Sequence, residues 1–133
     1  MTSVNSMRIG ASEDIVRMRA AVRQAAVAQG LSLVEQTKIV TAASELARNA
    51  LDYGGGGTVD VELVQNGVRP GVRLTFVDQG PGIADIEQAL KDGFTSGGGL
   101  GLGLGGAKRL SNEFSIESKP GAGTRVMITR WRA

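Results

Sequence analysis

Thr58-Val59-Asp60-Val61-Glu62-Leu63-Val64-Gln65 places Val59, Val61 and Leu63 at alternate positions, the spacing that turns one face of a β-strand toward a core and the other toward water. Asn66-Gly67 interrupts the run, and Val72, Leu74 and Phe76 resume it. Two such runs in succession predict neighbouring strands, a hairpin with a loop of several residues. Asp78-Gln79-Gly80-Pro81-Gly82 stops the second strand with turn-forming residues.

Upstream of this hairpin the period changes from two to between three and four. Met7 to Ile9 reads as a short strand, and Ser12 as an N-cap ahead of Glu13 and Asp14, acidic residues suited to the positive end of a helix. Ile15, Met18, Val22 and Ala26 then recur at helical spacing, and Gly30 closes the helix. Ser32 with Glu35 spells a capping box for a second helix, lined by Leu33, Ile39, Val40, Ala43, Leu46, Ala47 and Ala50 and running to about Asp52 before the turn Gly54 to Gly57. Downstream, Asp85 to Lys91 suits a short helix, and a glycine-rich stretch runs from Gly93 to Gly106. Leu104, Ala107 and Leu110 mark another helix. Phe114 and Ile116, a turn over Lys119 to Gly123, and Val126 and Ile128 give two closing strands. Strands joined mostly by hairpins require a mixed, mainly antiparallel sheet, and the helices must cover one face of it. The expected fold is an α/β two-layer sandwich, one domain spanning residues 1–133 and able to remove roughly two-thirds of its unfolded surface from water.

Composition narrows the chemistry. The chain has no cysteine and no histidine, so thiolate chemistry, Ser-His-Asp catalysis, the usual zinc ligands and a phosphohistidine carried within the chain are excluded. Carboxylates and lysines remain for proton transfer. A net charge of +2, scattered basic residues and 4% aromatics argue against nucleic-acid binding. No segment is long and apolar enough to span a membrane, and Met1 to Gly10 lacks the pattern of an export signal, so a cytoplasmic protein is expected. The chain contains 20 glycines, many in two short stretches, and glycine lets backbone amides converge on an anion.

Four segments carry candidate chemistry. In Glu45-Leu46-Ala47-Arg48-Asn49-Ala50, Glu45 and Asn49 are four apart and share a helix face, a carboxylate able to take a proton beside an amide oxygen able to hold Mg²⁺; the plainer reading is a solvated helix residue and a helix-end residue. Asp78, at a strand end, can accept from an amino group such as that of adenine, with Gly80 and Gly82 letting backbone approach a flat ring; a plain turn is the alternative. Gly97 to Gly106, with leucines interleaved at alternate positions before a helix, offers unhindered N–H groups to phosphate, where the alternative is a linker. Gly121-Ala122-Gly123-Thr124 turns the chain into the last strand. The spelling Gly101-x-Gly103-x-x-Gly106 also fits a dinucleotide fingerprint, but no strand precedes it at the start of a βαβ unit, and no P-loop motif occurs.

Glu-x-x-x-Asn on a helix, Asp-x-Gly-x-Gly after a strand, a Gly-x-Gly-x-Gly lid and Gly-x-Gly-Thr, in that order over residues 45–124, resemble the motif set of the GHKL ATPase and kinase superfamily with its Bergerat fold. Ser44 to Asn49, Asp78 to Ile83, and Asp92-Gly93-Phe94-Thr95-Ser96 before the lid look like the anti-sigma regulatory factor serine/threonine kinases, closest to the stressosome switch kinases. The resemblance implies an ATP-dependent kinase in which Glu45 is the general base, Asn49 coordinates Mg²⁺ and Asp78 binds the adenine amino group. It further implies that Gly80 and Gly82 shape the base pocket, that Gly99, Gly101 and Gly103 form the lid over the phosphates, and that Thr124 lies on the adenine side. It also implies a Ser or Thr acceptor on a STAS-domain partner and binding to a PP2C-type phosphatase. The chain departs from sensor histidine kinases in having no phosphoacceptor helix and no histidine. A nucleotide-gated module that activates a phosphatase or sequesters a sigma factor with little phosphate transfer is the alternative, and the acceptor and oligomeric state stay open.

Overall fold

The computed structural model describes residues 3–90 and 103–133. In chain order the elements are β1 (Ser3–Ile9), α1 (Ser12–Ala28), α2 (Leu33–Gly54), β2 (Gly57–Asn66), β3 (Arg69–Asp78), α3 (Ile86–Ala89), α4 (Gly103–Arg109), β4 (Glu113–Ser118) and β5 (Thr124–Trp131). Among the described residues the strands form one sheet in the order β1-β2-β3-β5-β4, with every neighbouring pair antiparallel. The helices lie on one face. Val59, Val72, Leu74, Phe76, Val126 and Ile128 point from the sheet into a core that α1 and α2 close with Met18, Val22, Ile39 and Leu46. Each such side chain contributes about 1.5–3 kcal/mol on burial. Ala42, Ala43, Ala47 and Ala50 are buried on α2, and these small side chains let its axis approach the sheet.

Local features refine the expectations. Ser12 lies inside α1 and Ala11 occupies the N-cap position; the orphan amides are met instead by Asp14, whose carboxylate accepts the Gly10 N–H at 2.8 Å and the Ala11 N–H at 3.1 Å. The Gly10 bond holds the Asp14 carboxyl below its ordinary range. Gly30, at φ 75°, ends α1 in a Schellman motif, its N–H on Val27 O and that of Leu31 on Ala26 O, both at 3.0 Å. The helix α2 continues past Asp52 to Gly54 because the left-handed residue that terminates it is Gly55, at φ 71°. The β2–β3 connection is tighter than the expected loop: Asn66 pairs directly with Arg69, leaving Gly67 and Val68 as the turn. Only Gly67 has positive φ, the pattern of a type II′ turn. β1 begins at Ser3, earlier than Met7, because it pairs with β2 along its whole length as a polar edge strand.

The capping box at the start of α2 forms as expected and does more. Ser32 Oγ accepts the Glu35 N–H at 3.1 Å and Glu35 Oε1 accepts the Ser32 N–H at 2.8 Å, while Glu35 Oε2 accepts the Ala133 N–H at 2.9 Å. Burial pushes the Glu35 carboxyl up, but the hydrogen bonds from Ser32 and Ala133 and the charge of Arg130 outweigh it and hold it below its ordinary value of 4.5. A carboxyl lowered on folding stabilises the fold above its unfolded value, and that contribution fades as pH falls through the folded value. Glu35→Ala is therefore expected to cost about 1–3 kcal/mol in urea unfolding at pH 7, with the difference from the unsubstituted protein shrinking below pH 4.5.

Candidate functional site

The register between β3 and β5 makes Asp78, the last residue of one strand, the direct cross-strand partner of Thr124, the first residue of the other. Both continue the rows that carry Phe76 and Val126, so both face the helices. They form the floor of a cavity of about 240 Å³. The C-terminal half of α2 supplies one wall through Asn49, Tyr53 and Gly54. Pro81, Gly82 and Ile83 supply the wall opposite, and Ala89 of α3 with Leu104 of α4 add apolar surface. Apolar walls around a small number of polar groups on one floor suit a flat, mostly apolar ring with polar atoms along an edge.

Close backbone contacts hold Asp78 in place. Its Oδ1 accepts the Gly80 N–H at 2.9 Å. A Cβ on Gly54 would lie 2.4 Å from Asp78 Cγ, and one on Gly80 would lie 2.5 Å from Gly54 Cα, so the end of α2, the carboxylate and the following turn touch with no room for a side chain. Gly82, at φ 80°, approaches Lys119 O so closely that a Cβ would stand 2.0 Å from it, and the adjoining Pro81 O accepts the Gly121 N–H at 2.6 Å. The turn after β3 is thereby clipped to the β4–β5 turn. Ser118 adds a third tie: its Oγ accepts the Ile83 N–H at 2.8 Å and lies 3.0 Å from Gly123 O and 2.8 Å from Thr124 Oγ1.

Asn49, Asp78, Gly82 and Thr124 therefore line one cavity, and Gly80 packs behind Asp78. Glu45 does not line it. It sits one helical turn from Asn49 along α2, about 6 Å of rise, and is 3% exposed, which removes the reading of a solvated helix residue. Carboxylates are almost never this buried unless paired. Gly103 is the first residue of α4; Gly99 and Gly101 lie outside the described residues, as does most of the glycine-rich stretch. Sequence reasoning missed Tyr53, Gly54, Ile83, Ala89, Leu104 and Ser118. Tyr53 was open to discovery, since it follows Asn49 by four on the same helix face; Ser118 had no signal, because its tie to Ile83 joins segments far apart in sequence.

The donor set bears on a metal. Among the described residues no three acidic side chains gather to hold an ion. Mg²⁺ commonly keeps water and phosphate oxygens as ligands and takes few from the protein, and the Asn49 amide on the cavity wall suits that role. Among the described residues no helix is long and apolar enough to cross a membrane.

Known proteins resemble the chain in sequence and in fold. Residues 34–132 match the family model described as histidine kinase-, DNA gyrase B- and HSP90-like ATPase. The chain is 43% identical over 131 residues, 98% of both chains, to the serine/threonine-protein kinase RsbT of Bacillus subtilis. It is 34% identical to the anti-sigma F factor of Geobacillus stearothermophilus, over 72% of this chain and 69% of that protein. The fold superposes on a solved Mycobacterium tuberculosis chain carrying RsbU and RsbW domains with a TM-score of 0.66 at 22% identity, covering 100% of this chain and 33% of that one.

The contact between Gly54 and Asp78 is testable without a ligand. Gly54→Ala should cost about 1–3 kcal/mol in chemical denaturation, as overpacking does. Combining it with Asp78→Gly should recover most of that loss, whereas additive costs would show that the two positions do not press on each other.

Proposed function

The chain belongs to the histidine kinase-, DNA gyrase B- and HSP90-like ATPase family, and from that premise we propose that it is a serine/threonine-protein kinase that moves the γ-phosphate of ATP to a hydroxyl on a STAS-domain regulatory or scaffold protein. The observation that carries the reading is the pairing of Asp78 with Thr124 on the floor of a cavity whose wall holds Asn49. The adenine ring lies between Ile83 and Leu104 with its amino group on Asp78. The phosphates then run along α2 toward Asn49 and the turn that bears Glu45. Bound Mg²⁺, held by Asn49 and phosphate oxygens, would neutralise phosphate charge. Glu45 accepts the proton of the attacking hydroxyl. Gly99, Gly101 and Gly103 cover the phosphates with backbone N–H groups.

Phosphoryl transfer needs positioning and charge neutralisation more than a protein nucleophile, so a chain without cysteine or histidine loses nothing by it. Glu45, one turn from Asn49 on the same helix, favours a kinase over a module that only binds nucleotide, since transfer to a hydroxyl calls for a base beside the phosphates and binding alone does not. The similarity to RsbT supports a partner-switching role, in which the protein leaves its phosphorylated STAS partner and engages a PP2C-type phosphatase in the cytoplasm.

The test is transfer of labelled γ-phosphate from Mg-ATP to a purified STAS-domain protein. Glu45→Gln should slow transfer by about 100-fold or more, the contribution of a general base, while ATP affinity is kept; transfer at the original rate would remove Glu45 from the chemistry. Asp78→Asn should weaken ATP binding by about 10- to 100-fold, as loss of a charge-assisted hydrogen bond does. Unaltered binding in calorimetry would undo the adenine assignment.

A further inference from the structure

Ser118 lies in β4 and does not line the cavity of Asn49, Asp78 and Thr124. Its hydroxyl nevertheless meets three partners: the Ile83 N–H at 2.8 Å, Gly123 O at 3.0 Å and Thr124 Oγ1 at 2.8 Å. A hydroxyl has one proton and two lone pairs. An amide N–H can only donate and a carbonyl can only accept. The Ser118 proton is therefore committed to Gly123 O, and one lone pair to Ile83 N–H. The remaining lone pair faces Thr124, which must donate. With its single proton spent on Ser118, Thr124 presents only lone pairs to the cavity. Beside it stands the Asp78 carboxylate, whose Oδ1 already takes the Gly80 N–H and which, when ionised, also only accepts.

We infer that Ser118 is a specificity-determining positioning residue: by taking the Thr124 proton it makes the cavity floor acceptor-only, so that the floor selects a purine bearing a 6-amino group over one bearing a 6-oxo group. The inference deepens the proposed function and rests on its placement of the base at Asp78. An exocyclic amino group has two N–H donors, one for each floor residue. A 6-oxo purine offers a carbonyl there, which meets two acceptors and gains no hydrogen bond from either. Removing the Ser118 hydroxyl frees the Thr124 proton to turn into the cavity, where it can donate to a 6-oxo group. The floor then becomes one acceptor and one adaptable hydroxyl, and discrimination falls although Asp78 is untouched.

The experiment compares Kd values for ATP and inosine triphosphate, each with Mg²⁺, in the full chain and its variants. Ser118→Ala should lower the ratio of the two affinities by about tenfold, the worth of about one hydrogen bond to a charged or buried partner. Ser118→Thr, which keeps the hydroxyl, should restore it to within about twofold. A purely structural role for Ser118 would weaken both nucleotides together and leave the ratio unchanged, which would overturn the inference. Thr124→Val decides the matter even where Ser118→Ala fails to fold. Loss of ATP affinity with inosine triphosphate unaffected supports an accepting Thr124; loss confined to inosine triphosphate overturns it. Asp78→Asn is measured alongside: an unchanged ratio there places the base elsewhere and defeats the underlying reading, whereas a collapsed ratio with Ser118→Ala at the original value defeats only the role of Ser118.

Discussion

The antiparallel pairing of β3 with β5 is the constraint on which the site depends. It brings the end of one strand and the start of the other to the same edge of the sheet and sets Asp78 opposite Thr124. Because side chains alternate along a strand, a slip of one residue would send either group to the open face of the sheet. The apolar rows above them, Phe76 with Val126 and Leu74 with Ile128, make that slip expensive. Hydrophobic burial fixes the register, and the register places the polar floor.

The second element of the site, α2, is fixed by a different force. Its capping box and the Glu35 bond to Ala133 anchor its start, and a stripe of alanines brings it down onto the sheet. Its last residue, Gly54, then meets Asp78 at a distance that admits no side chain. Helix, strand end and turn are thus mutually fixed before any ligand arrives, the preorganisation that phosphoryl transfer requires of a protein.

Much of this was legible in the sequence because it rests on periodicity and on residues whose chemistry is local. The alternating valines of β2, the helical spacing in α1 and α2 and the Ser32–Glu35 box are all patterns a few residues long. The length of β1 was hidden, since an edge strand of polar residues such as Asn5 and Ser6 carries little alternation. The short β2–β3 turn was hidden as well, because Pro70 and Gly71 look like loop residues yet pair with Gln65 and Val64. Asp78, Gly80 and Gly82 stood out as a motif. Gly54 and Ser118 did not, because one is defined by what it touches across the fold and the other by a hydrogen bond to Ile83, a residue that only folding brings near.

The central claim is that one nucleotide spans from the Asp78–Thr124 floor to the Asn49 turn of α2. A crystal structure of the protein with Mg²⁺ and a non-hydrolysable ATP analogue tests it most directly. The expected density has the adenine amino group within hydrogen-bond distance of Asp78 and the phosphates directed along α2 toward Asn49 and Glu45. An analogue bound with its base away from Asp78, or with its phosphates directed away from α2, would contradict the claim.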